Sequence, residues 1–347
     1  MKKVLIVQRH IPHYRRPVYD ELSKYYEVTV LHSGPPCEGE GALFREIVTP
    51  ARSFGPLRWQ SAVIREIRSG TYSAAVAMFD IRWVMNVAAP FVCGRCRLLY
   101  WGHGYSERPL ANSFRDFLMC RAAGVILYSE AARQRALANG VPASKLFVAP
   151  NTMVIDNHAD GSAAEKETFI FSGRLQARKK VGEFIRAFAE VVPLLPPHVR
   201  IDIVGSGPEL EALQSLAAAC GLSERVTFHG TVLDADVLRP LFHRAIAYVS
   251  PGPVGLGVLH SFAYGLPVVT NHAGRHGPEF GDIADGENGL LYHTVEDLKK
   301  ILVDLFADRA RAAELGRNAY AFFVNERSLE RMVAGYRDAI DNTRASQ

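Results

Sequence analysis

Phe171-Ser172-Gly173-Arg174-Leu175-Gln176-Ala177-Arg178-Lys179-Lys180, followed downstream by Ile203-Val204-Gly205-Ser206-Gly207-Pro208-Glu209-Leu210, decides how this chain is read. Each stretch is an apolar, strand-like run that breaks at glycine and passes into a helix-like pattern. Open α/β sheets present phosphate sites at their strand ends in this way. Arg174 and Lys179, five residues apart across a strand-to-helix loop, add two cations where a helix start already favours anions. Together they make a site suited to a diphosphate. Alone, each part has a plainer reading: glycine serves any tight turn, Pro208 suits the first position of a helix, and a basic loop can simply be solvated.

Working outward, strand-like and helix-like runs alternate through almost the whole chain, the pattern of parallel sheets covered by helices on both faces. Strands are predicted near 4–7, 28–31, 74–78, 98–101, 125–128 and 146–148, then in a second series near 168–171, 200–204, 226–228, 246–249 and 267–270. Ser129 is a predicted N-cap for a helix over 130–138, which Asn139-Gly140 stops. Asp234 is a predicted cap, and Thr294-Val295-Glu296-Asp297 reads as a capping box with Asp in place of Glu. The alternation pauses near Pro150-Asn151-Thr152, and a polar stretch through Gly161-Ser162-Ala163-Ala164-Glu165 follows. The expected division is therefore 1–157, 158–325, and a C-terminal helix over 326–347 that crosses back to the first domain. A chain of 347 residues exceeds what one core usually organises, which also favours two domains and a cleft between them.

Apolar residues at 48% and charged residues at 22% are ordinary for a globular protein. The net charge of +4 hides an asymmetry: residues 1–150 carry 20 Lys+Arg against 11 Asp+Glu, and residues 151–347 carry 20 against 25. A basic first half attracts nucleic acid, an anionic membrane or a phosphorylated substrate alike. The basic residues are scattered and form no stripe interleaved with aromatics, which argues against nucleic acid. Segments 57–69 and 114–123 mix Arg with Trp, Ile, Phe, Leu and Met in a helix-compatible way, a pattern that fits either core helices or docking on an anionic membrane surface. Lys2-Lys3 precede only Val4-Leu5-Ile6-Val7 before polar residues intervene, so this run reads as a buried strand and not as a leader or span. Five cysteines, an odd count, argue against a disulfide framework, and Cys93-Gly94-Arg95-Cys96 has no second pair to complete a zinc site. The expected location is the cytoplasm, with peripheral attachment to the inner face of the membrane.

Several motifs stand in order: Gly173-Arg174-Leu175 with Lys179, Val204-Gly205-Ser206-Gly207-Pro208, Val226-Thr227-Phe228-His229-Gly230, Ala263-Tyr264-Gly265-Leu266-Pro267-Val268-Val269-Thr270, and Gly286-Glu287-Asn288-Gly289-Leu290-Leu291. With them, residues 168–292 resemble the donor-binding domain of the retaining glycosyltransferases of the large family four. The resemblance implies the GT-B fold: α/β, two doubly wound Rossmann-like domains facing across a cleft, the first taking the acceptor and the second the sugar donor. It implies that Arg174 and Lys179 hold the donor's diphosphate beside Gly173, Gly205 and Gly207, and that the turn at His229 and Gly230 lies beside the base. A UDP-type donor, a glycan or lipid-linked acceptor, retention of anomeric configuration, and neither metal nor cofactor are further expectations. No Asp-x-Asp pair stands at a suggestive strand end.

The chain departs from that family at one segment. Two glutamates eight residues apart are the family's habit, and here Pro251-Gly252-Pro253-Val254-Gly255-Leu256-Gly257-Val258-Leu259-His260-Ser261 puts Gly252 and His260 at those positions. A histidine can still bond a ribose hydroxyl. For the sugar three solutions stay open: backbone groups of the turn at Gly252, Val254, Gly255, Leu256 and Gly257, which is favoured; a carboxylate from Glu279; or a sugar lacking the hydroxyls usually held. In the basic half, His103 between Gly102 and Gly104 is a candidate catalytic residue at a strand end. His13, Arg15 and Arg16, directly after the first strand, are candidates for acceptor phosphate. Rival readings are a sugar-nucleotide epimerase or hydrolase on the same fold, and a non-catalytic binding module whose site has decayed.

Overall fold

The computed structural model describes residues 1–37, 41–106, 108–155 and 165–343. The chain divides into two compact units, Met1–Val154 with Ser328–Gln347, and Ile155–Arg327. The boundary expected at 157/158 lies outside the described residues.

The first unit contains strands β1 (Lys3–Val7), β2 (Glu27–His32), β3 (Arg45–Val48), β4 (Arg52–Phe54), β5 (Leu57–Trp59), β6 (Ala74–Met78), β7 (Arg97–Gly102), β8 (Gly124–Leu127) and β9 (Leu146–Val148). Seven of them form one parallel sheet in the order β3-β2-β1-β6-β7-β8-β9, while β4 and β5 make a separate antiparallel hairpin. The period-two rule sorts its side chains: Val4, Ile6, Leu99 and Trp101 pack on one face, Leu5, Val7, Leu98 and Tyr100 on the other. Helices α1 (Arg16–Ser23), α2 (Ala62–Arg68), α3 (Val84–Val92), α4 (Pro109–Arg121) and α5 (Glu130–Ala138) fill the crossovers. Ser129 Oγ accepts from the Ala132 amide as expected of the cap, and Gly140, at φ +87°, ends the helix.

The second unit repeats the plan with β10 (Thr168–Ser172), β11 (Arg200–Val204), β12 (Val226–Gly230), β13 (Ala245–Ser250), β14 (Val268–Asn271) and β15 (Gly289–Tyr292), parallel in the order β12-β11-β10-β13-β14-β15. Helices α6 (Val181–Val191), α7 (Leu210–Ala219), α8 (Ala235–His243), α9 (Gly257–Ala263), α10 (Val295–Ala307) and α11 (Arg309–Glu326) cover it. The Thr294–Asp297 box is complete, each side chain bonding the other's amide, and Asp234 caps α8. The last helix, α12 (Leu329–Asn342), belongs to the first unit, where Met332, Val333, Tyr336, Ala339 and Ile340 bury against Val4, Ile6 and Tyr19.

Three sequence readings are corrected. The helix-compatible segment 57–69 starts as a strand, since Gly55 at φ +57° turns the chain back and pairs Leu57 with Phe54. Pro208 sits in the turn before α7, not in its first position. Strands β3 and β15 went unread, both being four-residue strands at sheet edges with half-buried residues that weaken the apolar signal.

Candidate functional site

In a doubly wound sheet, loops at the strand C-termini diverge where strand order reverses, and the crevice between them is the natural ligand site. In the second unit that point lies between β10 and β13. Backbone packing builds its rim. Gly205, at φ +138°, donates its amide to the Gly230 carbonyl at 2.7 Å, and a Cβ there would stand 1.9 Å from the Gly173 oxygen. A Cβ on Gly207 would meet the Leu175 oxygen at 2.2 Å. These glycines let two turns touch backbone to backbone, so their presence follows from loop packing.

The same packing sets out the cations. Leu175 is fully buried and donates its amide to the Ser206 carbonyl, which pins the loop and leaves the preceding Arg174 exposed. Among the described residues Arg174 makes no hydrogen bond or ion pair. Lys179 ends a short 3-10 turn, and Lys180, at φ +52°, redirects the chain into α6. The Lys179 ammonium is half-buried, donates to the Pro253 carbonyl, and has no carboxylate bonded to it among the described residues. Burial, assisted by the charge of Arg178, lowers its pKa from the ordinary lysine value.

Opposite it runs the turn after β13. Gly252 is buried against the Lys179 peptide: its amide donates to the Lys179 carbonyl at 3.0 Å, and a Cβ would stand 2.2 Å from the Arg178 oxygen. The Val254 amide is likewise engaged by His276 Nδ1 at 3.2 Å. Both amides are therefore already bonded within the protein, and any backbone group of the Gly252–Gly257 turn that holds a sugar would be another one. Gly255, Leu256 and Gly257 lead into α9, where Tyr248 closes the space beside Gly257. Glu279 is 6% exposed, and its Oε2 lies 4.0 Å from where a Cβ on Gly255 would be. Tertiary folding brings this carboxylate to the turn that holds Gly252 and Gly255. His260 is half-buried on α9 with its ring 4.5 Å from Phe242 and 5.3 Å from Tyr264.

His229, on edge strand β12, places Nε2 2.7 Å from Oδ1 of Asp202, a buried carboxylate that Arg244 also grips through two bonds of 3.0 and 2.7 Å. Burial pushes the Asp202 carboxyl up, while the bonds from His229 and Arg244 pull it down further, leaving its pKa below the ordinary 3.8. A depressed carboxyl contributes stability above its unfolded pKa and loses it as pH falls through the folded value. Thermal unfolding should therefore show an acid limb below pH 3.8 that is shallower in Asp202→Asn than in the parent. Superimposable limbs would refute this.

The first unit's switch point lies between β1 and β6. A cavity of about 280 Å³ opens there, lined by Arg15 but not by His13 or Arg16. His13 is exposed, and Arg16 is 3.6 Å from Asp20 on its own helix. An adjoining cavity of about 780 Å³ is lined by His103, with Asp80, Tyr105, Arg108 and Arg115. His103 follows Gly102, at φ +143°, and its ring meets Tyr128 edge-on at 4.9 Å.

Residues 166–308, less than half of the chain, match the family profile described as Glycosyl transferases group 1. The lipopolysaccharide core biosynthesis glycosyltransferase LpsE of Rhizobium meliloti is 28% identical over 189 residues, 53% of this chain and 52% of that protein. A GDP-mannose-dependent alpha-(1-6)-phosphatidylinositol monomannoside mannosyltransferase of Mycobacterium tuberculosis is 27% identical over 279 residues, 70% of this chain and 71% of that one. The chain thus spans about half the length of the first of these relatives. Anabaena HepE, solved in complex with UDP, superposes with a TM-score of 0.75 at 21% identity, covering 98% of this chain and 99% of that chain. The fold is GT-B, and the profile match falls within its second unit.

Within this GT-B chain, sequence reasoning missed Gln8, Trp101, Tyr128 and the Asp80–Arg82 pair, all lining the first unit's smaller cavity. Asp80 and Arg82 bond through Nε and Nη2 at 2.6 to 3.1 Å. The strand-end rule that flagged Arg15 applies equally to the loop after β6, and would have found them.

Proposed function

We propose that the protein is a glycosyltransferase that moves a sugar from a nucleoside-diphosphate sugar to a hydroxyl of a glycan or lipid-linked acceptor. The observation that carries this reading is the second unit's switch point, where an exposed arginine and a half-buried lysine without a bonded carboxylate stand on one loop. Breaking the bond from sugar to diphosphate concentrates negative charge on the leaving group. Preorganised cations stabilise that charge in the transition state without a metal. Retention, with the leaving diphosphate taking the acceptor's proton, follows the family resemblance. His103 is the candidate to lie beside the reacting sugar, and Glu279 is the carboxylate we favour for holding its hydroxyls. The nucleotide is UDP in the HepE complex and GDP in the mannosyltransferase's name, so both bases belong in the test. A panel of UDP and GDP sugars should contain one that raises the melting temperature and is turned over in EDTA when an acceptor extract is added. Consumption of labelled donor without acceptor would favour the epimerase or hydrolase reading, and no binding at all would favour a decayed module.

A membrane-facing role is part of the proposal. Among the described residues no helix is long and apolar enough to cross a membrane. On α4, Leu110, Phe114, Phe117 and Arg121 share one exposed stripe, Phe91 of α3 stacks on Phe117 at 6.1 Å, and Arg121 lies 5.4 Å from the Phe117 ring. Exposed aromatics beside an arginine suit an anionic interface. Vesicles of phosphatidylglycerol should bind the protein, and Phe114→Ser with Phe117→Ser should weaken binding on the order of tenfold or more, given the apolar area withdrawn. Equal flotation of parent and variant would remove this part.

A further inference from the structure

The turn after β13 is held from two sides. On one, Gly252 donates to the Lys179 carbonyl, and the Lys179 ammonium donates to the Pro253 carbonyl. On the other, both backbone groups of Val254, a residue 4% exposed, are taken by the loop that follows β14. The Val254 amide donates to His276 Nδ1 at 3.2 Å, and its carbonyl accepts from the Gly277 amide at 2.8 Å. The second ring nitrogen of His276, Nε2, lies 2.7 Å from the Asn271 carbonyl oxygen. The ring stacks on Phe280 at 4.1 Å with 11° between planes, and Gly274 makes room for it, since a Cβ there would stand 2.4 Å from Nε2. Glu279 follows on the same segment, its Oε2 2.9 Å from where a Cβ on Gly277 would be.

These partners fix the protonation of the imidazole. A carbonyl only accepts, so Nε2 carries the proton; an amide only donates, so Nδ1 is bare. A second proton would set N–H against N–H at a buried residue and leave the Val254 amide without its acceptor. We propose that His276 is a positioning residue for the donor site: neutral, it fixes the Val254 turn between the Lys179 loop and the segment carrying Glu279, and protonated it releases that turn and weakens donor binding in mild acid. That the donor is a nucleotide sugar rests on the transferase reading above; that the ring's protonation sets the order of the turn does not. The titratable and charged groups around the ring are Lys179 ahead of α6, His272 and Arg275 on its own loop, His293 against His272 at 4.8 Å, and Glu279. Burial lowers the pKa of His276 from the ordinary 6.5, opposed by the bond to Asn271 and assisted by the charges of His272 and Lys179. The unfolded chain therefore takes up this proton near 6.5 and the folded chain only at lower pH, so the turn is intact at neutral pH and loosens as pH falls below 6.5 through the folded value.

The test uses the full chain and the panel of UDP and GDP sugars, whose diphosphate is a diester and keeps its charge through mild acid. In donor-free protein at neutral pH, nitrogen NMR of the ring should show Nε2 protonated and Nδ1 bare. His276→Asn sets an amide oxygen where Nδ1 stood and takes up no proton, so it keeps the Val254 bond; His276→Gln reaches Asn271 and abandons Val254. Compared at one pH, the Val254 amide should exchange with solvent about tenfold faster in His276→Gln than in the parent, the scale of one buried hydrogen bond, and near the parent's rate in His276→Asn. Calorimetry should show the parent losing donor affinity about tenfold from neutral pH to about pH 5, His276→Asn lacking that limb, and His276→Gln binding weakly throughout. A proton on Nδ1, equal exchange in the parent and His276→Gln, or the same acid limb in His276→Asn would overturn the proposal. The ring spectrum and the parent's own pH profile decide the matter if a variant fails to fold. Should no nucleotide sugar bind the parent while exchange at Val254 follows the variants, the transferase reading fails and the positioning of the turn stands. Donor binding indifferent to pH and to both substitutions would do the reverse.

Discussion

Arg174→Ala should lower turnover of the nucleotide sugar on the order of 10²-fold or more while the protein melts as before, because one preorganised donor to a developing anion carries about that factor. The separation of the two readouts is what makes this residue informative. Arg174 is exposed and bonds nothing among the described residues, so its removal withdraws charge from the switch point without removing a support. Lys179→Ala should cost activity on the same scale, with some loss of stability, since its ammonium also holds the Pro253 carbonyl. Parent-like turnover in Arg174→Ala would end the assignment of this loop to the diphosphate.

Gly252→Glu, which introduces the residue that the family resemblance implies at that position, should damage the protein and not improve it. A Cβ at 252 would lie 2.2 Å from the Arg178 oxygen and 2.6 Å from the Lys179 carbonyl carbon, all of it backbone. Relieving that overlap requires prising the turn from the Lys179 loop, at a cost of about 3 kcal/mol, or about 6–12 °C in the melting temperature of a unit this size. Gly252→Ala should suffer almost as much, because the overlap begins at Cβ. Gly255→Ala, three residues on, meets only Glu279 Oε2 at 4.0 Å and should melt like the parent. A Gly252→Glu protein that melts normally and gains activity would mean that the turn is free to open.

Local signals in the chain carried the architecture because they are short-range physics. Alternation of apolar runs, glycine at strand ends and the caps Ser129, Asp234 and Thr294 act within a few residues, and each appears where the sequence places it. Strands β6, β9 and β11 match their expected limits, since fully apolar or flanked runs leave little choice of register. The edge strands β3 and β15 did not stand out, because an edge buries too little to demand an apolar run.

The site was legible only as a list of strand-end residues. Arg15 and Arg16 are adjacent and alike in sequence, yet one sits buried among Trp101, Tyr128 and Met332 while the other faces Asp20. What separates them is the side of the chain that turns toward β7, β8 and α12, elements 80 to 320 residues away. Glu279 is in sequence only one of three open solutions, and β14 and its following turn bring it to Gly255. Gly252 reads as a missing carboxylate until the Lys179 peptide is seen against it. The sequence by itself determined two doubly wound sheets and the strand ends at which ligands would gather, because those depend on periodicity and turns. Which side chains meet there, which amides are already spent and which cation lacks a counterion were decided by tertiary structure alone, because burial and partnership are set by residues far apart in the chain.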